Sequence, residues 1–567
     1  RRTAEATIEI HCRNRRGKEQ VYPLTKSGGI VELPASDSSP VERISFRITP
    51  HRGSRAELIA VLENPISERC LVLNSEQKGN FRRSFDQIVL SATLRRAMTQ
   101  SAYLVARRNF FSIAPGIRYG FVPVSSLRKI FQELIPSGIS PQSATPVELS
   151  MARNEYENFQ ILVIPGQGTD NEELFLRWTP DEADNPLTVQ FRELGYVKTP
   201  KRAYRQLVEA TVDYPDPLLP MPEGRFVVRE GKNQVVWVTV HTPAASSSGQ
   251  YSGTISVSER NGNILSRIRL KVRVHRFAIP AIPTVKTCFF LNRRWVDEYF
   301  NLKNWKEEKE VYSTICNMAA AYRLTPMPMV ETRPKLTPIW QAYREKDGHI
   351  SFDFSRENEL LKLILDKNHG CGYNITAGPK YVMQYGYLPV IDRESGKTVR
   401  LNYPMLSPEY REVYRSFLKA AWQNAVKHGW QRKAWHYIWD EWNGPQWNEL
   451  HRISHETVPE LQVIAVGYSP GEMSPEAKEA VDIYVPLTAA YDAKFAEDVR
   501  SKGKEVWTYV CCSPKPPAFN LIIDQDAIDH RGIGWWMAAR EINGLLYWGL
   551  TTWTQAVKTA RQGKYWP

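Results

Sequence analysis

Apolar and polar residues alternate with a period of two through most of the first half of the chain. Short alternating runs such as "ATIEIHCR" and "ERISFRI" occur in residues 1–118, and longer ones such as "NQVVWVTVHTP" occur in residues 119–283. Because successive side chains of a strand point to opposite faces, this alternation predicts strands with one buried face. We therefore expect two β-sandwich units, joined by a linker within "SIAPGIRYGFVPV" (112–124).

The pattern changes in residues 284–567, where strand-like and helix-like segments alternate. Eight candidate strands lie at 287–292, 325–330, 373–378, 435–441, 461–468, 481–487, 505–512 and 544–550. Amphipathic helices fit between several of them, at 305–321, 356–368, 408–428, 490–502 and 526–541. Eight β–α units in a segment of this size predict a (β/α)8 barrel of the TIM type. An open doubly wound sheet is the alternative, but no G-x-G-x-x-G follows the first strand.

Composition adds a charge bias to this picture. The 567 residues carry a formal net charge of +13, and residues 1–120 alone hold 20 Lys and Arg against 11 Asp and Glu. Positive surface favours anionic partners, so residues 1–118 are a candidate binding module for an anionic glycan; a solvated basic face is the alternative. No nucleic-acid motif accompanies the charge, and nucleic acid is not a predicted partner. The 17 Trp and 26 Tyr suit a carbohydrate ligand.

Cysteine and histidine spacing indicates neither a metal site nor a cofactor. The seven Cys show no repeated C-x2-C pattern, and the vicinal Cys511 and Cys512 would bridge each other only with strain. No apolar run reaches the roughly 18–20 residues of a membrane span. The chain opens with Arg-Arg instead of Met, which would fit removal of a leader. We therefore expect a secreted, periplasmic or cell-surface protein.

Two adjacent carboxylates mark the candidate active site. Asp440 and Glu441 follow an apolar strand in "YIWDEW" (437–442), between two tryptophans. In a barrel of this type, active sites lie at the C-terminal ends of the strands. One acid there can donate a proton to a leaving oxygen while the other stabilises the reacting group. Neighbouring Trp442 lowers the local dielectric, which favours a protonated acid. A surface ion pair is the alternative for a bare Asp-Glu.

Other predicted strand ends carry side chains suited to a sugar pocket. The first strand ends at Asn292, the seventh carries Tyr509, and the eighth carries Tyr547 and Trp548. A Tyr hydroxyl offers a hydrogen bond, and a Trp face packs against a pyranose ring. Each residue taken singly fits a core position as well, so the prediction depends on their convergence at one rim.

These residues also resemble a known family. The segment 505–553, with its Y-x-C-C-x-P and G-x-L-Y-W-G motifs, resembles the C-terminal signature of glycoside hydrolase family 123, and "YIWDE" resembles the acidic pair of that family. Segments 152–163, 213–220, 233–243 and 271–280 are similar to the β-sandwich that precedes its barrel.

The resemblance implies a β-N-acetylgalactosaminidase that works by substrate-assisted, retaining catalysis. In that chemistry the 2-acetamido carbonyl of the sugar attacks the anomeric carbon and forms an oxazolinium ion. By position, Asp440 would stabilise the acetamido nitrogen, and Glu441 would protonate the leaving oxygen and then activate water. A glycosidase of the same fold with a different, anionic sugar, and a non-catalytic glycan-binding protein, are the alternatives.

Overall fold

The computed structural model describes most of the chain as two compact units, Arg1–Ile279 with Asp526–Ile528, and Pro280–Gln525 with Asp529–Pro567. The described residues are 6–14, 19–24, 41–50, 58–63, 103, 106–136, 138–141, 145–169, 171–198, 213–229, 231–329, 339–375, 386–438, 441, 445–467, 475–515, 517–523 and 525–552. Within this part of the chain, no helix has the length and apolar character that a membrane crossing requires.

The first unit begins with a four-stranded antiparallel sheet. Its strands are β1 (Ala6–Asn14), β2 (Glu19–Leu24), β3 (Val41–Pro50) and β4 (Leu58–Glu63), in the order β2-β1-β3-β4. Residues 106–112 are helical. The β structure that the alternating pattern predicts is therefore present in the described part of residues 1–118.

A two-sheet β-sandwich follows. Its strands are β5 (Tyr119–Ser125), β6 (Val147–Arg153), β7 (Glu155–Pro165), β8 (Glu173–Pro180), β9 (Thr188–Lys198), β10 (Asp213–Pro220), β11 (Arg225–Val227), β12 (Gln234–Thr242), β13 (Gly249–Glu259) and β14 (Ile264–Ala278). A 3-10 turn, Pro222–Gly224, precedes β11. The sheets have the orders β10-β9-β12-β7-β5 and β11-β8-β13-β14-β6. Their inward apolar side chains form one core, which contains Val163, Val238, Ile255 and Leu270.

The expected linker at 112–124 is wrong in its second half. Residues Tyr119–Ser125 form β5, which pairs antiparallel with β7 from Tyr119 to Ser125. Gly120 and Pro123 suggested a linker, but Tyr119 is buried in the core and Gly120 lies against the Phe110 ring. The strand is an edge strand, which is where a proline is tolerated because it donates no ladder hydrogen bond.

The second unit contains a nearly closed eight-stranded parallel barrel. Its strands are β15 (Lys286–Asn292), β16 (Pro326–Met329), β19 (Tyr373–Asn374), β22 (Ala434–Tyr437), β23 (Gln462–Val466), β24 (Ile483–Val485), β25 (Glu505–Val510) and β26 (Gly544–Tyr547). The sheet order is β16-β15-β26-β25-β24-β23-β22-β19, and every described ladder in it is parallel. All eight segments predicted as strands contribute a strand. Strand β15 begins one residue earlier than predicted, and the other seven strands are shorter than predicted.

Side chains link the two terminal strands of this sheet, β16 and β19. The Cys371 N–H donates to Thr325 Oγ1 at 3.1 Å, and Thr325 Oγ1 lies 3.3 Å from Cys371 Sγ. The same thiol donates to the Thr287 carbonyl at 3.0 Å. Cys371 therefore has a structural role next to the seam of the barrel.

Helical segments lie between consecutive barrel strands along the chain. They are α1 (Arg293–Phe300), α2 (Trp305–Ala321), α3 (Ser355–Leu361, continued by the π-helical Lys362–Lys367), α4 (Pro408–His428), α5 (Pro445–Thr457), α6 (Pro475–Ala480), α7 (Ala493–Ser501) and α8 (Ala527–Ala538). Short 3-10 turns occur at Gln431–Lys433 and Thr488–Ala490. Ser407 Oγ caps α4 by accepting the Tyr410 N–H, and Gly429, with φ of +75°, ends it.

Two tryptophans fill the interior of the barrel. The rings of Trp435 and Trp507 meet edge to face with centroids 5.2 Å apart, and both side chains are buried. Each indole ring packs against a glycine, Trp435 against Gly372 and Trp507 against Gly544. A Cβ atom at either glycine would overlap the ring. The interior is therefore a packed core, and only its rim is available for chemistry.

A second sheet in this unit has no counterpart among the sequence predictions. Strands β17 (Gln341–Arg344), β18 (Ile350–Asp353), β20 (Tyr387–Asp392) and β21 (Thr398–Asn402) form it in the order β18-β17-β20-β21. β17 and β18 follow barrel strand β16, and β20 and β21 follow β19. Because both pairs belong to connections that leave the C-terminal ends of strands, this sheet is built from loops on the side of the candidate site.

Candidate active site

Strand β22 carries the candidate acids toward the C-terminal end of the barrel. Trp435 and Tyr437 belong to the interior cluster, whereas Ile438 packs in the cluster outside the sheet. His436 also points outward: its Nε2 lies 2.8 Å from the Tyr414 hydroxyl, which lies 3.2 Å from Ser454 Oγ. Complete burial lowers the pKa of His436 well below its ordinary value. His436 is therefore a neutral packing residue between β22 and the helices.

Glu441 lies just beyond β22, in the turn that leaves the strand. Its backbone has a φ of +49°, in the left-handed region that few residues other than glycine occupy. The Tyr509 hydroxyl, from strand β25, donates a hydrogen bond of 2.5 Å to Glu441 Oε1. The turn and this hydrogen bond direct the carboxylate toward the C-terminal end of β25. Asp440 and Trp442 lie outside the described residues, so their roles stay predictions.

Gly467, directly after strand β23, is a site residue that sequence reasoning missed. A Cβ atom at this position would lie 2.7 Å from Glu441 Cγ and 3.1 Å from Glu441 Cβ, and the backbone φ is +92°. Real Cβ atoms do not approach other atoms that closely, so the glutamate side chain packs where only glycine leaves space. The signal in the sequence is a glycine near the end of the fifth predicted strand (461–468), in "AVGY", where the observed strand already stops at Val466.

The last two barrel strands bring aromatic residues to their C-terminal ends. Tyr509 itself is buried in the interior cluster. Tyr547 is half-buried with its ring 5.6 Å from that of Phe289, and burial raises the pKa of its hydroxyl. Trp548 follows Tyr547 and is 44% exposed, and the centroids of these two rings are 6.2 Å apart. Tyr547 and Trp548 thus offer a hydroxyl and an open indole face at the end of β26.

Asn292 has a structural role at the end of β15. Its side-chain oxygen caps α1 by accepting the Trp295 N–H at 3.4 Å. Its backbone N–H donates to Thr551 Oγ1 at 2.8 Å, and that hydroxyl lies 3.3 Å from the Asn292 carbonyl. The residue predicted to bind substrate therefore already has its amide oxygen occupied as a helix cap.

The vicinal cysteines lie at the end of β25 without forming a bond. Cys511 Sγ and Cys512 Sγ are 3.9 Å apart, and burial raises the pKa of the Cys511 thiol, which disfavours a thiolate nucleophile. The buried Asn520 amide donates to the carbonyls of Cys511 and Pro514, at 3.1 and 3.0 Å, and so fixes the backbone of this loop. Among the described residues, no cluster of His, Cys, Asp and Glu could hold a metal ion.

The C-terminal end of the packed barrel thus carries the Glu441 carboxylate, the Tyr509 hydroxyl that is hydrogen-bonded to it, and the aromatic rings of Tyr547 and Trp548. A carboxyl group in this position can exchange a proton with a ligand at the mouth, and its hydrogen bond fixes the direction of that exchange. These groups are of the kinds that general acid–base catalysis and the binding of a ring-shaped ligand require.

The family comparison decides among the chemistries that use such a site. Residues 296–567 match the family model described as "Glycoside hydrolase 123, catalytic domain". The chain carries a glycoside hydrolase family 123 catalytic domain. It is therefore a glycoside hydrolase with a carbohydrate substrate, as the resemblance of its strand-end motifs implied.

Solved structures support the same fold. A family 123 glycoside hydrolase from Clostridium perfringens, described by its role in glycolipid glycan hydrolysis, matches at 11% identity with a TM-score of 0.59, covering 76% of this chain and 78% of the other. An FMN-binding β-glucuronidase from Facaelibacterium prausnitzii matches at 8% identity with a TM-score of only 0.25, covering 96% and 69%. That score is too low to support an argument. No curated protein matches the chain.

Proposed function

We propose that this glycoside hydrolase removes terminal β-linked N-acetylgalactosamine by substrate-assisted, retaining catalysis within a (β/α)8 barrel. The observation that supports this best is the carboxylate of Glu441, hydrogen-bonded by Tyr509 at the C-terminal end of the strands, in a domain of family 123.

Glu441 is proposed as the general acid and base. As an acid it protonates the glycosidic oxygen while the C1–O bond breaks and the acetamido oxygen bonds to C1. As a base it then takes a proton from water, whose oxygen attacks C1 and opens the oxazolinium ring. The Tyr509 hydrogen bond keeps one carboxyl oxygen occupied and leaves the other oriented for the proton transfer.

Asp440 is proposed to stabilise the positive charge on the acetamido nitrogen. A carboxylate next to a developing cation in a partly dehydrated site is worth several kcal/mol in the transition state. Tyr547 and Trp548 are proposed to contact the sugar ring, and Trp442 to wall the same pocket. The relative from Clostridium perfringens makes glycolipid glycans a substrate group to include in tests of this chain.

A panel of chromogenic β-glycosides tests this function. Turnover should require the 2-acetamido group, so N-acetylgalactosaminide should be cleaved and the matching galactoside should not. A thiazoline analogue of N-acetylgalactosamine, which resembles the cyclic intermediate, should inhibit the native enzyme and bind Asp440→Asn far more weakly. Equal turnover of both glycosides, or absence of thiazoline inhibition, would exclude substrate assistance.

A further inference from the structure

The last strand of the sandwich, β14, presents a row of positive charges on its outer face. Ile268, Leu270, Val272 and Val274 point into the sandwich core, with at most 5% exposure. The alternate residues Arg267, Arg269, Lys271 and Arg273 therefore point outward, and they are exposed or half-exposed. We call these four residues the β14 ridge. Consecutive members are two residues apart, which is about 7 Å along a strand, so the ridge is about 20 Å long.

Hydroxyl side chains run beside the ridge on the neighbouring strand. The antiparallel register of β13 and β14 places Ser256 opposite Arg267, Thr254 opposite Arg269, and Ser252 opposite Lys271. Strand β8, on the other side of β13, adds the exposed Arg177 opposite Ser256. The face thus combines fixed cations with a parallel row of hydrogen-bonding hydroxyls, and the sheet keeps both in register.

The positive charge on this face is only partly neutralised. Arg269 is paired with Asp181, and Lys271 lies 3.4 Å from Glu148. Exposed ion pairs of this kind contribute little stability and are open to competition by another anion. Within the described residues, the side chains of Arg177, Arg267 and Arg273 have no ion-pair partner. Five basic side chains therefore face two carboxylates, with unpaired guanidinium groups at each end of the ridge.

We propose that the β14 ridge, with Arg177, binds an anionic polysaccharide that carries sulfate or carboxylate groups. Guanidinium groups bind sulfate and carboxylate oxygens in pairs of parallel hydrogen bonds, and their regular spacing suits charges that repeat along a polymer. Arg269 donates hydrogen bonds of 3.2 Å to both Thr254 Oγ1 and Ser252 Oγ, which fixes its guanidinium group on this face. This surface goes beyond the proposed reaction, since it belongs to the sandwich and needs no part of the barrel site.

Nucleic acid is the other polyanion that a basic face attracts, and the geometry favours it less. Single strands are held by bases that stack on aromatic side chains, and duplex sequence is read by elements that enter a groove. The outward residues of β13 from Ser252 to Ser256 are Ser and Thr. The aromatic pair on the outer side of β14, His275 and the exposed Phe277, follows Arg273 at one end of the ridge and does not lie between the ridge cations. DNA is therefore the natural comparison ligand.

The test is binding of full-length protein to heparin, a sulfated polysaccharide used here as the probe, by isothermal titration calorimetry. Arg267→Ser combined with Arg273→Ser should weaken heparin binding at least tenfold. The control pair Lys419→Ser with Lys427→Ser removes the same charge from exposed positions of helix α4 and should leave the affinity unchanged. Arg267→Lys with Arg273→Lys keeps the charge but loses the paired hydrogen bonds, and should fall between the two.

Further measurements separate this surface from the active site and from general charge effects. Uncharged dextran should not bind, and heparin affinity should fall as salt screens the ridge. Turnover of a small aryl glycoside should be the same in the ridge variant and the control. Three results would overturn the proposal: no heparin binding by the native protein at low salt, equal loss in the control pair, or tighter ridge-dependent binding of duplex DNA than of heparin.

Discussion

At the scale of single residues, the site depends on three strands that each place one group. Glu441 comes from the turn after β22, Tyr509 from β25, and Gly467 from the end of β23. The phenol fixes one carboxylate oxygen and the glycine admits the side chain. The two contacts have different consequences when they are removed, because one acts on the carboxylate itself and the other on its position.

Replacing Glu441 with Gln should lower turnover by a factor of about 10²–10⁴, because a carboxamide cannot donate the proton that the leaving oxygen needs. A nitrophenyl glycoside should be partly spared, since nitrophenolate leaves without protonation. Steady-state rates on aryl glycosides with graded leaving groups measure this difference. Glu497→Gln, on the exposed side of α7, is the matched control. If good and poor leaving groups suffer equally in Glu441→Gln, the acid assignment is wrong.

Gly467→Ala should cost about 10² in kcat, because the new methyl group displaces the Glu441 side chain and small misplacements of a catalytic group are costly. Gly503→Ala is the control: Gly503 has a φ of +73° and nothing within 4 Å of an added Cβ. Both variants should lose a similar stability of about 1–2 kcal/mol from the left-handed backbone. Turnover and thermal melting of both variants distinguish displacement of the Glu441 side chain from loss of folding stability. Equal turnover in Gly467→Ala and Gly503→Ala would contradict the role of Gly467 in positioning Glu441.

The sequence could single out Glu441 as a candidate acid, but it could not show the contacts that Tyr509 and Gly467 make with it. An acid at the end of an apolar strand is visible in one segment, whereas the contact with Gly467 joins the ends of two different strands. Tyr509 was predicted to contact substrate, and the structure directs its hydroxyl to Glu441. For Asn292 the sequence was ambiguous. An Asn at a strand end that faces a ligand and an Asn that caps the following helix have the same sequence signature, and the structure shows the cap.

At the scale of elements, the alternation of strands and helices was predictable because the barrel strands are buried on both faces. Continuous apolar runs such as "VIAV" in β23 stand out from the amphipathic helices around them. The strands β17, β18, β20 and β21 were missed because they have only four to six residues each. Over so few residues, alternation of apolar and polar side chains cannot be distinguished from the pattern of a polar loop. Pairing with residues distant in sequence decides whether such a segment becomes a strand.

Helix α3 carries a buried acid that should make stability depend on pH. Burial raises the pKa of Glu357 from its ordinary value to about 8. Because the folded state favours the protonated form, the stabilisation is complete below the unfolded value near 4.5 and is lost as pH rises toward 8. The melting temperature of the native protein should therefore fall between about pH 5 and pH 8, and Glu357→Gln should remove this fall. Exposed Glu359→Gln, on the same helix, is the control; identical pH profiles of native protein and Glu357→Gln would contradict this reasoning.

At the scale of the whole molecule, the cores are separate. The clusters that contain Val238 and Leu162 draw only on residues 103–274, and those that contain Phe417, Trp507 and Ile533 draw only on residues 288–550. Among the described residues, therefore, each range has buried clusters of its own. Since buried apolar contact is the main source of folding stability, each unit has its own.

A fragment of residues 280–567 should therefore fold and keep turnover of a small aryl N-acetylgalactosaminide within about tenfold of the full chain. It contains the barrel, the added sheet and Glu441 with both of its partners. It lacks the β14 ridge, so it should bind heparin no better than the ridge variant. Circular dichroism melting, turnover and heparin titration, run side by side on fragment and full chain, measure all three properties. A folded fragment without turnover would show that residues before 280 complete the active site, whereas a fragment that still binds heparin tightly would place the anionic-polymer surface in the barrel unit.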